Sequence, residues 1–452
     1  MPETQKIDQR KEYLQKVSTL LKEGNLNDVR LYLHTLHPAE IAMVLESLPV
    51  EDRKRIWSLI PPEIMGKILV GLHEEVAKGL IEITSNTDLI QAANSLDSDD
   101  LVDLLQVVPE QVVAKILKKL GKEQGAKLES VLSYEENTAG GLMQLEVLTT
   151  RKDVSLDAVL RLLRRRGEVP NATSSLIVTD RDNIVQGALP ITVLLTKPPE
   201  SLVSDWMDKN VVLIPYNMPA ADVAMVFEQR DLISAPVVAE NNRLLGIVTI
   251  DDVVDVIRDQ ADHSFMSMAG LDEEQDMFAP VVDSAKRRAV WLGINLLTAF
   301  FASWVIDLYE ATLDQIVALA VLMPIVASMG GIAGSQTLTL VVRGLALRQI
   351  GQANALNLII KELSIGAING VAWAVIVAIV GGLWFQSGSI GLLLGAALVI
   401  NLICASLAGT AIPLILHKVG IDPALAGGVL LTTVTDVVGF MAFLGLATAF
   451  LM

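Results

Sequence analysis

The chain has 452 residues, enough for several domains. Hydrophobic residues make up 52% of it, yet its formal net charge is −17. So large an acidic excess argues against nucleic acid as a partner, because such binding is driven by Lys and Arg neutralising phosphates. It suits a surface that gathers cations, or simply a soluble acidic domain. The two characters separate near Ala285: from Lys286 onward there are seven Lys/Arg and six Asp/Glu, against 28 and 46 upstream. An acidic, soluble front is joined to an apolar rear. The single cysteine, Cys404, lies in an apolar stretch and supports neither a disulfide framework nor a thiolate metal cluster.

Residues 1–16 (MPETQKIDQRKEYLQK) are polar and lack a signal-peptide core, which predicts a cytoplasmic start. Residues 1–135 read as short amphipathic helices in units of roughly 24 residues. Proline-led starts recur at His37-Pro38-Ala39-Glu40 and Ile60-Pro61-Pro62-Glu63, and Asp97-Ser98-Asp99-Asp100 opens a third unit. Apolar residues follow at helical spacing, as in Ile41, Val44, Leu45 and Leu48. Units that cannot bury a face alone predict a small all-α superhelix. His34, His37 and His73 are scattered and suit surface or packing roles.

Over residues 136–262 short strands alternate with helices, and the pattern repeats once. Gly141-Leu142-Met143 answers Asp205-Trp206-Met207, and a helix over Leu156–Arg165 answers one over Ala220–Gln229. Strands Ser175–Val178 and Ile184–Ala188 answer Ala235–Val238 and Leu244–Val248. This resembles a tandem cystathionine-β-synthase-type (CBS) pair, a regulatory α/β module that often binds adenine nucleotides. The family's nucleotide signature falls on Gly246-Ile247-Val248-Thr249-Ile250-Asp251-Asp252. The resemblance makes Thr249 and Asp252 candidates for holding the ribose and phosphate of ATP; the plain alternative is a strand-to-helix turn with Asp as its cap.

The rear holds five stretches long and apolar enough to span a bilayer: 289–307, 315–341, 364–385, 390–416 and 425–451. Lys286-Arg287-Arg288, then Arg343, Arg348 and Lys361, then His417-Lys418 all flank one side. The other side carries Asp307, Glu310, Asp314 and Gln386-Ser387-Gly388, with no Lys or Arg. The positive-inside rule then predicts the N-terminus in the cytoplasm and the C-terminus outside. Asp436 stands in the middle of the fifth span, with Thr432 one turn earlier on its face and Thr433 beside it. Burying a carboxylate there costs at least ~2.5 kcal/mol, so such residues usually face a water-filled path. Hydroxyls and a carboxylate suit the waters of a hydrated divalent ion, which Mg²⁺ sheds reluctantly. In the second span, Pro324 and the run from Gly330 to Gln336 predict a broken helix with exposed carbonyls, or else close packing.

Order and motifs together resemble the MgtE family of Mg²⁺ transporters over almost the whole chain. The likeness is carried by Thr138-Ala139-Gly140-Gly141-Leu142-Met143 and by Thr249-Ile250-Asp251-Asp252-Val253-Val254-Asp255-Val256 around the CBS pair. It continues in Ala269-Gly270-Leu271, Asp422-Pro423-Ala424 and Thr432-Thr433-Val434-Thr435-Asp436. The resemblance implies a multidomain membrane protein: an all-α superhelical N domain (1–135), an α/β CBS domain pair (136–262), a connecting "plug" helix (263–288) and a five-helix transmembrane domain (289–452). It implies a homodimer in the lipid of a bacterial cytoplasmic membrane, with Asp436, Thr432 and Thr433 holding hydrated Mg²⁺ and Gly330, Gly331, Ile332 and Gln336 lining the pore. It also implies cytosolic Mg²⁺ as a regulator, with Asp231, Asp252, Asp255 and Asp99 as candidate ligands.

The sequence departs from the family at Ile332 and Ser335, where asparagines are usual, and at Gln260, His263 and Ser264, where acids are usual. An upstream acidic cluster becomes Pro219-Ala220-Ala221-Asp222. Two readings follow: a divalent-cation transporter driven by membrane potential, for Mg²⁺ with Co²⁺ or Mn²⁺ as rivals, or a non-conducting membrane sensor. No Gly-x-x-x-x-Gly-Lys-Ser/Thr loop supports an ATP-driven pump, and no nucleophile–base pair supports an enzyme.

Overall fold

The computed structural model describes residues 3–96, 98–120, 122–167, 169–170, 173–271, 274–351 and 353–452. It divides into two compact units, one of residues 1–262 with 274–280 and one of residues 263–273 with 281–452.

The first unit opens with ten helices. These are α1 (Glu3–Lys22), α2 (Leu26–Leu33), α3 (Pro38–Glu46), α4 (Val50–Trp57), α5 (Pro62–Val70), α6 (Glu74–Ile83), α7 (Asn86–Ala93), α8 (Ser98–Val107), α9 (Glu110–Leu120) and α10 (Lys122–Val131). Their starts are chemically marked. Pro38 occupies the first turn of α3, where its missing N–H is no loss, and His37 and Glu40 close a reciprocal capping box. Ser85 caps α7 by accepting from the Asp88 N–H at 3.1 Å. Helices this short are marginal alone, so the stability comes from the apolar faces that Val29, Ile41, Val44, Leu45, Ile56 and Ile68 bury completely.

The doubled region follows as α11 (Ala139–Leu142), β1 (Thr149–Thr150), α12 (Leu156–Arg166), β2 (Ser175–Thr179), β3 (Val185–Pro190), α13 (Ile191–Thr196) and α14 (Val203–Trp206). The second copy is β4 (Ile214–Pro215), α15 (Ala220–Arg230), β5 (Ser234–Val238), β6 (Leu244–Thr249) and α16 (Ile250–Ser267). Each copy builds one three-stranded sheet, a parallel pair followed by an antiparallel one. Both carry an irregularity at the same place, Val178/Thr179 and Val237/Val238. The leading motifs are exchanged. Gln144, just after Met143, forms a two-bond bridge with Ile247 of the second copy, while Asp208, just after Met207, does the same with Ala188 of the first. Glycine is required where these backbones meet: a Cβ on Gly246 would lie 2.6 Å from the Gln144 carbonyl, and one on Gly187 would strike the Asp208 carbonyl.

The second unit holds α17 (Val281–Asp307), α18 (Glu310–Gln315), α19 (Ala318–Ala346), α20 (Ala355–Trp384), α21 (Gly388–Val419) and α22 (Pro423–Leu451). All but α18 are long and apolar enough to cross a membrane. Helix α21 packs against α19, α20 and α22, and Leu319, Leu322 and Val326 meet Leu394, Ala397, Phe443 and Leu444 in the core.

Two expectations need correction. No separate helix occupies residues 263–288. The helix that follows β6 runs on to Ser267, the described residues up to Pro280 are non-helical, and Val281 to Arg288 already form the start of α17, the helix that carries the first span. Asp272 and Glu273, in that expected helix, lie outside the described residues. The second span is not broken: α19 is continuous through Pro324 and the glycine run. Its glycines serve close packing instead, with Gly330 against Asn401 and Gly334 against Leu431, which is the alternative the sequence allowed.

Candidate functional site

Helix α22 starts at an Asp422 cap, whose Oδ1 accepts from the Ala424 N–H at 2.9 Å, with Pro423 in the first turn. Leu431, Thr435, Gly439 and Phe443, spaced by four, form its buried stripe. Thr432 and Asp436 lie beside that stripe, Thr432 exposed and Asp436 partly buried. The Thr432 hydroxyl donates to the Gly428 carbonyl at 2.9 Å and the Thr433 hydroxyl to Val429 at 2.8 Å. With their hydrogens spent on the helix, both oxygens are left as acceptors. The Asp436 carboxylate makes no hydrogen bond or ion pair among the described residues, in a segment where an unpaired charge is costly. Water molecules held by a divalent cation are strong donors, and this face offers them a carboxylate and two hydroxyl oxygens.

On α19, Gly331, Ile332, Ser335, Gln336 and Thr339 line an open groove of 540 Å³. Three of the four expected lining residues, Gly331, Ile332 and Gln336, lie there. Gly330 does not: it is buried against Asn401, and a Cβ on it would collide with that side chain. Ile332 presents an apolar side chain, 56% exposed, to this groove.

Asn401 was not singled out from the sequence. It is fully buried on α21, donates from Nδ2 to the Val326 carbonyl of α19 at 2.8 Å, and leaves Oδ1 without a partner among the described residues. It fills the space left by Gly330 on one side and Gly439 on the other, so α19, α21 and α22 are clamped together three residues from Asp436. A lone Asn inside an apolar span was the available signal. Glu362 is a second buried polar residue, 5% exposed, which accepts from the Thr337 hydroxyl at 3.3 Å.

The candidate ligands in the first unit are dispersed. Thr249 is buried; its hydroxyl donates to Asp252 Oδ2 at 3.0 Å, and the Gln144 amide reaches that hydroxyl at 3.1 Å. The pair thereby closes the turn from β6 into α16. Asp231 ends α15 in a left-handed conformation (φ 51°), and Asp255 lies 3.7 Å from Arg258. The Asp99 side chain lies outside the described residues. Among the described residues no three acidic, His or Cys side chains converge as a metal cluster would require. At one position where the resemblance expects an acid, His263 Nε2 instead lies 3.4 Å from Asp422 Oδ2.

The segment leading to the first span is held by the helical domain. Arg53 is buried and grips Asp276 through two bonds, 2.7 and 3.0 Å, while donating to the Leu45 and Leu48 carbonyls. Glu274 accepts from the Glu74 N–H at the start of α6, and burial raises its carboxyl above the ordinary range.

Comparisons with known proteins agree along the chain. A family model for the MgtE divalent cation transporter matches residues 323–446, one for the MgtE intracellular N domain matches 36–137, and a CBS domain model matches 203–259. The magnesium transporter MgtE of Bacillus subtilis is 29% identical over 441 residues, covering 97% of this chain and 98% of that protein. That of Thermus thermophilus is 29% identical over 433 residues, covering 94% and 96%. A solved cytosolic domain of the Mg²⁺ channel MgtE in complex with ATP is 29% identical, with a TM-score of 0.48, and covers 54% of this chain and 99% of that one. With all three domain types in their order and relatives matched end to end, this chain belongs to the MgtE family of divalent cation transporters, as a multi-pass membrane protein.

Proposed function

We propose that the chain carries Mg²⁺ inward as a homodimer, through a pore built from the Asp436 face of α22 and the Ile332 face of α19. The observation that carries this reading is the unpaired Asp436 carboxylate flanked by two threonine oxygens that can only accept. These groups would hold the ion through its waters. The protein sits in a bacterial cytoplasmic membrane with its acidic domains inside and its C-terminus outside. An inside-negative potential drives entry, since a divalent ion gains about 4.6 kcal/mol per 100 mV. Cytosolic Mg²⁺ regulates the pore by relieving repulsion among acids of the first unit, with Asp231, Asp252, Asp255 and Asp99 as candidate ligands. ATP is a candidate ligand at Thr249 and Asp252, and it would have to open the bond between them.

The test is dye-reported Mg²⁺ influx into proteoliposomes under an inside-negative potential, comparing the natural chain with Asp436→Ala. Conduction by the natural chain alone is expected; equal flux in the variant removes Asp436 from the path. The exposed Ile332 favours a second reading, a sensor that does not conduct. Flux from neither protein, with Mg²⁺ removed from the side bearing the CBS domains, would put that reading first.

A further inference from the structure

A cavity of 590 Å³ lies at the end of α19 and the start of α20, away from the Asp436 face. Arg343 on α19 and Lys361 on α20 reach it from opposite helices, and no carboxylate is among its lining residues. Asn357 stands one turn before Lys361 on the same helix face. The loop between the helices is tied in place: Asn354 Oδ1 accepts from the Gly351 N–H at 2.9 Å, and its Nδ2 donates to the Gln349 carbonyl at 2.8 Å. Arg348 sits in the left-handed region (φ 50°), with its N–H bonded to the Leu345 carbonyl, which turns the chain back over the end of α19. Leu340, Leu347, Ile350 and Leu358 supply an apolar part of its lining. On the same two helices Leu340, Leu356 and Ile360 are exposed apolar side chains, at 48, 66 and 55% exposure.

We propose that this cavity binds the phosphate headgroup of an anionic phospholipid, with an acyl chain along the leucine wall. Arg343 and Lys361 supply the charge and Asn357 a hydrogen-bond donor. Lys361 also lies 3.6 Å from the buried Glu362, which shares its charge, so Arg343 is the stronger anchor. A free phosphate shares the headgroup's chemistry but has no use for the apolar wall, and that wall commits the site to lipid. The cavity lies at the flank where Lys and Arg gather, which matches the anionic inner leaflet in the proposed orientation. Lipid binding is independent of whether the protein conducts.

The test is native mass spectrometry of the full chain in detergent, titrated with phosphatidylglycerol and with phosphatidylcholine. The first phosphatidylglycerol is expected to bind about 25-fold tighter than phosphatidylcholine, from roughly fivefold for each of the two basic residues. Arg343→Gln with Lys361→Gln should remove that preference, and Arg343→Lys should keep most of it. Because the double variant loses the Glu362 contact, Asn357→Phe is the second probe, filling the cavity without touching a charge; it should weaken phosphatidylglycerol by a similar factor. Unchanged lipid preference in both variants overturns the proposal. Displacement of the lipid's effect by millimolar inorganic phosphate, with no difference between the two lipids, assigns the site to free phosphate and overturns it as well.

Discussion

The front and the rear of the molecule treat buried charge in opposite ways. In the soluble unit Arg53 and Asp276 are both sequestered; Arg53 donates twice to Asp276 and twice to backbone carbonyls, and Asp276 Oδ1 also accepts from the Phe278 N–H. In the membrane unit Asp436 has no partner among the described residues. A fully bonded buried pair is a structural device, because leaving either member alone would be ruinous. An unbonded carboxylate in a span has no structural reason to be there. The contrast locates function in the residue whose bonding is incomplete.

The largest effect should come from the incomplete residue. Asp436→Asn keeps size and polarity but removes the charge; a unit charge ~5 Å from a divalent ion at an effective dielectric of ~20 is worth several kcal/mol. Uptake in proteoliposomes should therefore fall ~100-fold or more while expression and melting temperature stay near the natural values. A large loss of folded protein instead would make Asp436 a structural acid and erase the contrast.

The complete pair predicts the reverse. Arg53→Ala should destabilise the first unit by about 3–5 kcal/mol, because it strands Asp276 in the interior. Limited proteolysis should then cut near residues 274–280, and replacing both partners with apolar side chains should recover much of the loss. A pair that can be broken one side at a time without cost would not be the latch described.

Asn401 falls between the two types, with one amide end bonded and the other not. Asn401→Leu should cost about 1 kcal/mol through the Val326 carbonyl. Gly330→Ala should cost about 1–3 kcal/mol by overpacking the same spot. Thermal unfolding in detergent checks both, and a sharper loss of flux than of stability would show that the clamp positions Asp436.

The smallest effect is electrostatic. His73 bonds the Glu46 carboxylate, which raises the imidazole above its ordinary value against the opposing cost of burial. A raised histidine contributes stability that is complete below its unfolded value near 6.5 and fades as pH climbs through the higher folded value. His73 is nearly half exposed, so ~0.5 kcal/mol is the expected size. His73→Gln should flatten the pH dependence of unfolding above pH 6; the same slope in the variant would place it on other groups.

Much of this architecture was legible in the residues, and the gaps have a common cause. The β2, β3, β5 and β6 strands announced themselves by apolar runs between turn residues, and α3 and α5 by proline at their starts. Spans appeared because length and apolarity suffice to detect them. Which way each span faces did not appear, because helices that are apolar all round carry no periodic signal. Hence Gly330 was expected to line the pore and lies against Asn401, whose clamp depends on how α19 packs against α21 and α22. The end of α16 was missed for a related reason: charged residues from Asp251 to His263 suit a helix as well as a linker, and only docking of Glu274 and Asp276 decides where the chain turns.

The exchange of leading motifs between the two CBS copies has a consequence for how such a protein can change. Each copy keeps in its own sheet a slot that only the other's strand-like segment fills, at Ile247 for Gln144 and at Ala188 for Asp208. A gene fragment encoding one copy would carry an empty slot and a homeless segment, and both would seek the same features in another chain. The heritable module is therefore the pair. Truncation between the copies invites entanglement of separate molecules, whereas duplication or loss of the whole tandem leaves every segment at home.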